Sequence, residues 1–216
     1  MILPSRRYEK EAPSLEARKI YIFCEGRRRE YDYFNYFVGM DSRINIIVYQ
    51  MREEDNTTPS GVFQKAEKFV GKIDLEDIDE VWLVFDRDID KFDSRKPQIQ
   101  EIRSVCSSRE NWNIALSNPC FEVWLHYHFF NKAPDFDGLE VSSNWKTHLG
   151  VSISGGFDTR KHPLLIETAL TNSKSVHSTD DFNEPLVCST EAHLLAESIV
   201  PIVKEKLLRR LHALEA

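Results

Sequence analysis

The sequence has few cysteines and no long hydrophobic run. Its four cysteines, Cys24, Cys106, Cys120 and Cys188, lie far apart and form no CxxC pair, so we expect reduced thiols rather than a disulfide framework. No stretch approaches the length of a membrane span, and the N-terminal residues lack the apolar core of a signal peptide. These absences predict a cytoplasmic protein without membrane contact.

The chain also lacks a basic surplus and a phosphate-binding glycine loop. The formal net charge is -7, which argues against coating duplex nucleic acid, because such binding needs many lysine and arginine contacts to phosphate. Local contact with nucleic acid remains open. No GxxxxGK[ST] motif is present, so an ATP-driven step would have to come from another protein.

Length and composition predict one substantial domain. The chain has 216 residues, of which 41% are hydrophobic and 29% charged, enough to bury one core but too few for two full domains. We divide it into an N-terminal arm (residues 1–18), an α/β core (19–130), an insertion or small subdomain (131–188) and a C-terminal helix that packs on the core (189–216).

Apolar bursts alternate with amphipathic stretches through the first two thirds of the chain. This alternation predicts an α/β fold with a central, mainly parallel sheet flanked by helices. The predicted strands are 19–24, 44–51, 80–85 and 113–117, and the predicted helices are 29–38, 59–72, 97–106 and 121–130. Within the insertion we predict one helix, at 163–171. In the C-terminal helix, we expect Pro201 to bend or interrupt the chain.

Three acids follow two of the predicted strands. Asp86 and Asp88 come directly after the third strand in the sequence FDRDID, and Glu25 comes directly after the first. In a parallel α/β sheet, ligands collect beyond the carboxyl ends of the strands. If the two strands are neighbours, these carboxylates form an oxygen-ligand site suited to Mg²⁺ or Mn²⁺. A divalent cation would also offset the repulsion between them.

The residues after Glu25 suit phosphate binding. Gly26 permits a sharp turn, and three arginines follow where a helix N-terminus favours an anion. These arginines are Arg27, Arg28 and Arg29. A second interpretation stays open, in which the arginines form a charged helix face paired with Glu30 and Asp32.

Four segments together resemble a known family. IFCEGRRREYDYF, VWLVFDRD, LSNPCFEVWLHYHF and STEAHLLAE resemble the RloB-like family, and the order of strand, Glu-Gly, second βα unit and Asp-x-Asp resembles the Toprim catalytic domain. The likeness covers residues 19–130 well and the tail more loosely. It implies a Rossmann-like Toprim fold and a nuclease effector of phage defence that works with an ATPase.

The resemblance also implies roles for individual residues. Glu25 matches the Toprim glutamate, which acts as a general acid or base or helps to hold metal, and Asp86 and Asp88 match the metal-binding Asp-x-Asp. Further residues at this edge take a supporting or second-metal role: Asp90, Glu122 and Asn118. For Glu122 the alternative is an acid that only stabilises the start of its helix, and for the two aspartates it is a solvated loop after a buried strand.

We therefore expect an Mg²⁺- or Mn²⁺-dependent nuclease that acts in antiviral defence by abortive infection. The sequence leaves open whether DNA or RNA, including transfer RNA, is cut, and whether the protein forms oligomers. Two other functions remain. One is a phosphatase of the haloacid dehalogenase type, with an aspartyl nucleophile after a strand. The other is a non-catalytic subunit that regulates an ATPase.

Overall fold

The fold is built on a four-stranded sheet in which all strands are parallel. The computed structural model describes residues 9–88 and 93–212. Within them the strand order is β2-β1-β3-β4. The strands are β1 (Arg18–Cys24), β2 (Ile44–Tyr49), β3 (Glu80–Asp86) and β4 (Trp112–Ser117). The predicted α/β class and parallel sheet are confirmed, and β1 lies next to β3 as the predicted site required.

The side chains of β1 and β3 alternate between two cores, one on each face of the sheet. In β1, Ile20 and Ile22 belong to one core, whereas Tyr21 and Phe23 belong to the other. Because successive residues of a strand point to opposite faces, a strand that is apolar at every position is covered on both sides. Helices α2 and α3 cover one face, while α1, α6 and α7 contribute to the core on the other.

Seven α-helices lie in the described ranges. They are α1 (Arg29–Asn35), α2 (Pro59–Val70), α3 (Arg95–Cys106), α4 (Glu122–His126), α5 (Ser142–Ser152), α6 (Ile166–Val176) and α7 (Ala192–His212). The Thr58 hydroxyl caps α2 by accepting from the Gly61 backbone N–H at 3.2 Å. Helix α3 begins two residues earlier than predicted, at Arg95, and α4 is a single short turn rather than a helix through residue 130.

The segment 131–188 contains more structure than the sequence predicted. Helix α5 was not predicted, because its serines and glycine are poor helix formers. It forms around Trp145, which is buried and donates from Nε1 to the Leu139 carbonyl at 2.7 Å. Leu149 and Leu164 of this segment belong to the same hydrophobic core as β1 and α7.

Helix α7 runs through Pro201 without interruption, so of the two expected effects, a bend or an interruption, the interruption is absent. Pro201 is exposed, and the carbonyl group that loses its partner there can bond to water instead. Leu195, Ile199 and Leu207 pack into the core as expected. Leu194, which we also expected to pack, is 39% exposed because it lies on the outer side of the helix.

Two observations concern the cysteines and the helices, for which we expected free thiols and no membrane-spanning stretch. All four cysteines are free and buried. None of the helices in the described ranges combines the length and apolar character needed to cross a bilayer.

Candidate functional site at the carboxyl ends of β1 and β3

The structure brings Glu25 and Asp86 together. The Glu25 backbone N–H donates to the Val84 carbonyl at 3.0 Å, which continues the β1–β3 pairing one residue past the end of β1. The Asp86 backbone N–H donates to Glu25 Oε2 at 3.3 Å. Two carboxylates that are 61 positions apart in the chain therefore share one rim of the sheet, at the edge where ligands of parallel α/β folds collect.

Both carboxylates lie in an acidic cleft of about 520 Å³. We call this the acidic cleft throughout. Its lining residues are Glu25, Gly26, Arg27, Arg29, Glu30, Thr57, Asp86, Glu122 and Lys146. We call the carboxylates of Glu25, Glu30 and Asp86 the acid floor. A fourth carboxylate, that of Glu122, and three cationic side chains are also among the lining residues.

Asp86 lies at the end of β3 and lines the acidic cleft. One oxygen, Oδ1, accepts from the Phe121 backbone N–H at 2.8 Å. Burial, followed by the nearby charges of Glu30 and Glu25, raises the pKa of Asp86 well above its usual value. A buried acid among like charges is stabilised by a proton or by a cation.

Arg95, at the start of α3, joins the two strand tips. Its guanidinium forms an ion pair with Glu25, and Nη2 also donates to the Asp86 carbonyl at 2.8 Å. Burial raises the pKa of Glu25, although the charge of Arg95 opposes that shift. The sequence analysis did not identify Arg95, because no spacing rule connects the start of α3 with the end of β1.

Glu30 is a site residue that the sequence analysis missed. It was interpreted as a surface partner of the arginines, but it is only 7% exposed and lines the cleft. Burial, with added repulsion from Glu122 and Glu25, raises its pKa to about 7. Its position was readable from helical periodicity, since buried Tyr33 and Phe34 lie three and four residues further along the same face.

Gly26 makes room for Glu30. A Cβ atom at position 26 would lie 1.7 Å from Glu30 Oε2. From the sequence we expect Gly26 to permit a sharp turn within a phosphate-binding segment. In the structure, the space beside this glycine holds a carboxylate.

The three arginines after Gly26 have separate surroundings. Arg29 Nη1 donates to Glu122 Oε1 at 2.6 Å, whereas Arg27 Nη2 donates to the Glu53 carbonyl at 2.9 Å. Arg28 is exposed. The second interpretation, a solvated face paired with Glu30 and Asp32, does not describe Arg29, because its ion-pair partner is the buried Glu122 on α4.

The position of Glu122 is compatible with both of the roles that the sequence left open. It lies in the first turn of α4, and it is buried at the wall of the cleft. Asn118 lies behind this wall rather than in it. Its Nδ2 donates to the Pro185 carbonyl at 2.8 Å, so Asn118 ties the turn before α4 to a distant loop.

Asp88 lies beside the cleft and not among its lining residues. It has a positive φ of 33°, and its Oδ1 accepts from the Ser142 hydroxyl at 2.6 Å. It is close enough for its charge to contribute to the raised pKa of Glu25 and of Asp86. Asp90, the remaining predicted acid, lies outside the described residues.

The donor chemistry of the cleft fits a hard divalent cation. Magnesium and manganese prefer carboxylate oxygens and retain several waters, and the floor offers Glu25, Glu30 and Asp86. Two carboxylates already hold arginines, through the Glu25–Arg95 and Glu122–Arg29 pairs. In the parts of the chain that the structure describes, no group of three such side chains is already arranged around an ion position, so these pairs would have to adjust.

Comparison with known proteins gives one match. The model of a family described as RloB-like protein matches residues 20–199, which is most of the 216-residue chain and includes every described acid of the cleft. Searches of the curated proteins and of the solved structures found no match. This chain belongs to the RloB-like protein family.

Proposed function

We propose that the protein is a metal-dependent nuclease that hydrolyses phosphodiester bonds in the acidic cleft. The observation that supports this most directly is the contact between Asp86 N–H and Glu25 Oε2 at the shared rim of β1 and β3. Half-buried carboxylates at that rim, with the buried Glu30 beside them, are the kind of ligand that magnesium or manganese needs for phosphoryl chemistry.

The side chains of the cleft divide between holding a cation and holding the substrate. Glu25, Glu30 and Asp86 would hold the cation, which when bound would polarise a phosphoryl oxygen and favour deprotonation of an attacking water. Arg29 and Lys146 would orient the non-bridging phosphate oxygens. The water oxygen would form the new P–O bond while its proton passes to a carboxylate of the cleft. The bond to the leaving sugar oxygen breaks, and that oxygen takes a proton from solvent.

The biological setting is proposed from the family resemblance. Membership of the RloB-like family and the Glu25, Asp86 and Asp88 pattern support a Toprim-type effector of antiviral defence. Because the sequence contains no GxxxxGK[ST] loop, we expect ATP hydrolysis to come from a partner protein. The substrate is DNA or RNA.

A phosphatase of the haloacid dehalogenase type is the second candidate. It is favoured by Asp86 and Asp88, which stand two residues apart after a strand, as a nucleophile and a general acid would. However, the Asp88 carboxylate accepts from Ser142 and does not line the cleft. This candidate also leaves Glu25 without a role.

Replacement of Glu25 by glutamine tests the nuclease proposal. We expect Glu25→Gln to lower cleavage of mixed DNA and RNA by about 100-fold or more, measured with Mn²⁺ and with the ATPase partner added or omitted. A chelator should abolish the wild-type activity. The matched control is Glu101→Gln, because Glu101 is exposed on α3.

The outcomes separate the candidates. Loss of cleavage in Glu25→Gln but not in Glu101→Gln supports the nuclease. Full nuclease activity in Glu25→Gln, or in the presence of chelator, contradicts it. Release of phosphate from monoesters that survives Glu25→Gln would point to the phosphatase instead.

A further inference from the structure

A second depression continues the acidic cleft along the sheet edge. It has a volume of about 250 Å³ and shares Arg27 with the acidic cleft. We call it the side groove. Its lining residues are Arg27, Arg28, Gln50, Met51, Arg52 and Glu53. It extends the cleft from the end of β1 to the segment that follows the edge strand β2.

Five cationic side chains line these two depressions. Arg29 pairs with Glu122, and we call the other four the basic rim: Arg27, Arg28, Arg52 and Lys146. All four are exposed. Lys146 lines only the acidic cleft, Arg28 and Arg52 line only the side groove, and Arg27 lines both. The cations therefore extend from the acid floor to positions well outside it.

The basic rim is only weakly neutralised by acids. Arg52 approaches Glu54 at 3.8 Å, and both side chains are exposed, so water screens this pair. Arg27 donates to a backbone carbonyl rather than to a carboxylate. In residues 9–88 and 93–212, Arg28 and Lys146 have no carboxylate within ion-pair distance.

Lys146 stands on a well-supported helix. Ser142 at the start of α5 donates to Asp88, Trp145 is buried, and His148 contacts His126 Nδ1 at 3.1 Å. These contacts join α5 to the tip of β3 and to α4. The helix that carries this exposed lysine is therefore positioned before a ligand arrives.

We propose that the basic rim binds the backbone of a single-stranded polynucleotide, with the scissile phosphate over the acid floor and its neighbouring phosphates along the side groove. This inference rests on the proposed nuclease function and specifies its substrate class. A lone phosphate monoester would use only the cations of the acidic cleft, which leaves Arg28 and Arg52 without a ligand. Several phosphates in a row use the whole rim.

The charge of the protein favours a single strand over a duplex. The formal net charge is -7, so a second strand would bring further phosphates against a protein whose overall charge is negative. A single strand needs only a narrow basic track. For each phosphate contact with a single strand, the slope of log K against log salt concentration becomes more negative by about 0.7.

Binding to the Glu25→Gln protein tests the basic rim without any cleavage. Fluorescence anisotropy would compare a labelled single strand of roughly 12 nucleotides, within the range of known single-strand sites, with a mononucleotide and with a duplex of the same sequence. We expect the strand to bind at least about tenfold more tightly than either of the others at low salt.

Neutralising the side groove should reduce this binding. In the Glu25→Gln background, Arg28→Ala with Arg52→Ala should lower the salt slope by about 1.4 and weaken strand binding about tenfold at low salt. The control pair, Lys68→Ala with Arg209→Ala, changes the net charge equally at exposed positions on α2 and α7. Circular dichroism melting would confirm that both double variants are folded.

These measurements separate the two proposals. One outcome is that the wild type shows no cleavage and the rim variants lose strand binding. This outcome supports the basic rim and contradicts the nuclease proposal. If the wild type cleaves but the rim variants bind like the control pair, the rim proposal is wrong. Equal affinity for the mononucleotide, or for the duplex, also overturns it.

Discussion

Glu30 keeps its place in the cleft because residue 26 has no side chain. The carboxylate occupies the volume that a Cβ atom at this position would need. A buried acid with a pKa of about 7 is costly to maintain among other acids. Its retention there suits a site that holds a cation.

Gly26→Ala should therefore displace the Glu30 carboxylate. Because that carboxylate is the end of a flexible side chain, we expect the free energy of unfolding to change by less than about 1 kcal/mol. We expect Mn²⁺ to raise the melting temperature of the variant less than that of the wild type, since one carboxylate has moved. Thermal melts with and without Mn²⁺ measure both effects.

Gly150→Ala is the control. Nothing lies within 4 Å of a Cβ atom built there, and Gly150 is inside α5. Alanine in a helix interior gains about 0.5–1 kcal/mol over glycine, so this variant should be slightly more stable and respond to Mn²⁺ as the wild type does. An undiminished Mn²⁺ response in Gly26→Ala would contradict the assigned role of Glu30.

At the scale of elements, α5 is coupled to the end of β3 through one hydroxyl. The Ser142 side chain donates to Asp88 Oδ1 at 2.6 Å, and α5 carries Lys146 into the cleft. Asp88, for which the sequence predicts a direct metal contact, forms a contact between the sheet edge and the segment 131–188.

Removal of that hydroxyl should loosen the start of α5. A hydrogen bond to a charged group contributes about 1.5–3 kcal/mol, and a partly exposed one about 1 kcal/mol. We expect Ser142→Ala to speed amide hydrogen exchange in the first turns of α5 about fivefold. Exchange in α2, which is remote from this contact, should stay unchanged.

Ser143→Ala provides the comparison, because Ser143 is the exposed neighbour of Ser142 in the same turn. Its hydroxyl contributes no contact to Asp88, so exchange in α5 should match the wild type apart from the helix propensity of alanine. If Ser142→Ala and Ser143→Ala behave alike, the contact with Asp88 does not hold α5.

At the scale of the whole molecule, the acid cluster makes folding stability depend on pH. The usual pKa of a glutamate is 4.5, whereas that of Glu30 in the folded protein is about 7. Between these values the folded state binds a proton that the unfolded state has released. Stability is therefore greatest near the lower value and falls as pH rises towards 7. The raised pKa values of Glu25 and Asp86 act in the same direction.

We expect the free energy of unfolding to fall by up to about 3 kcal/mol from Glu30 between pH 5 and pH 8. Urea denaturation across this range measures the slope, and Mg²⁺ should restore stability at pH 8 more than at pH 5. Glu30→Gln should flatten the profile, and Glu101→Gln should not. A profile that rises with pH through this window would contradict the cluster.

The sheet and the central acids were predictable because they depend on local patterns. The apolar run before Asp86 predicts the end of β3, and the Glu25-Gly26 break predicts the end of β1. Both strands end at the same edge of a parallel sheet. The burial of Glu30 was also predictable, because helical periodicity places it on the same face of α1 as Tyr33 and Phe34. The placement of Asp88 was not predictable, because its backbone turns to a positive φ and its carboxylate meets a serine 54 residues away.

The sequence by itself determined the α/β class, the starts and ends of most strands, and the presence of acids at two strand ends, because these follow from residue periodicity and turn chemistry along the chain. The tertiary structure alone decided that Arg95 pairs with Glu25, that Arg29 pairs with Glu122 and that Lys146 enters the cleft. Such contacts depend on how separate elements pack. A local sequence pattern does not predict which side chain of a distant helix will lie at the site.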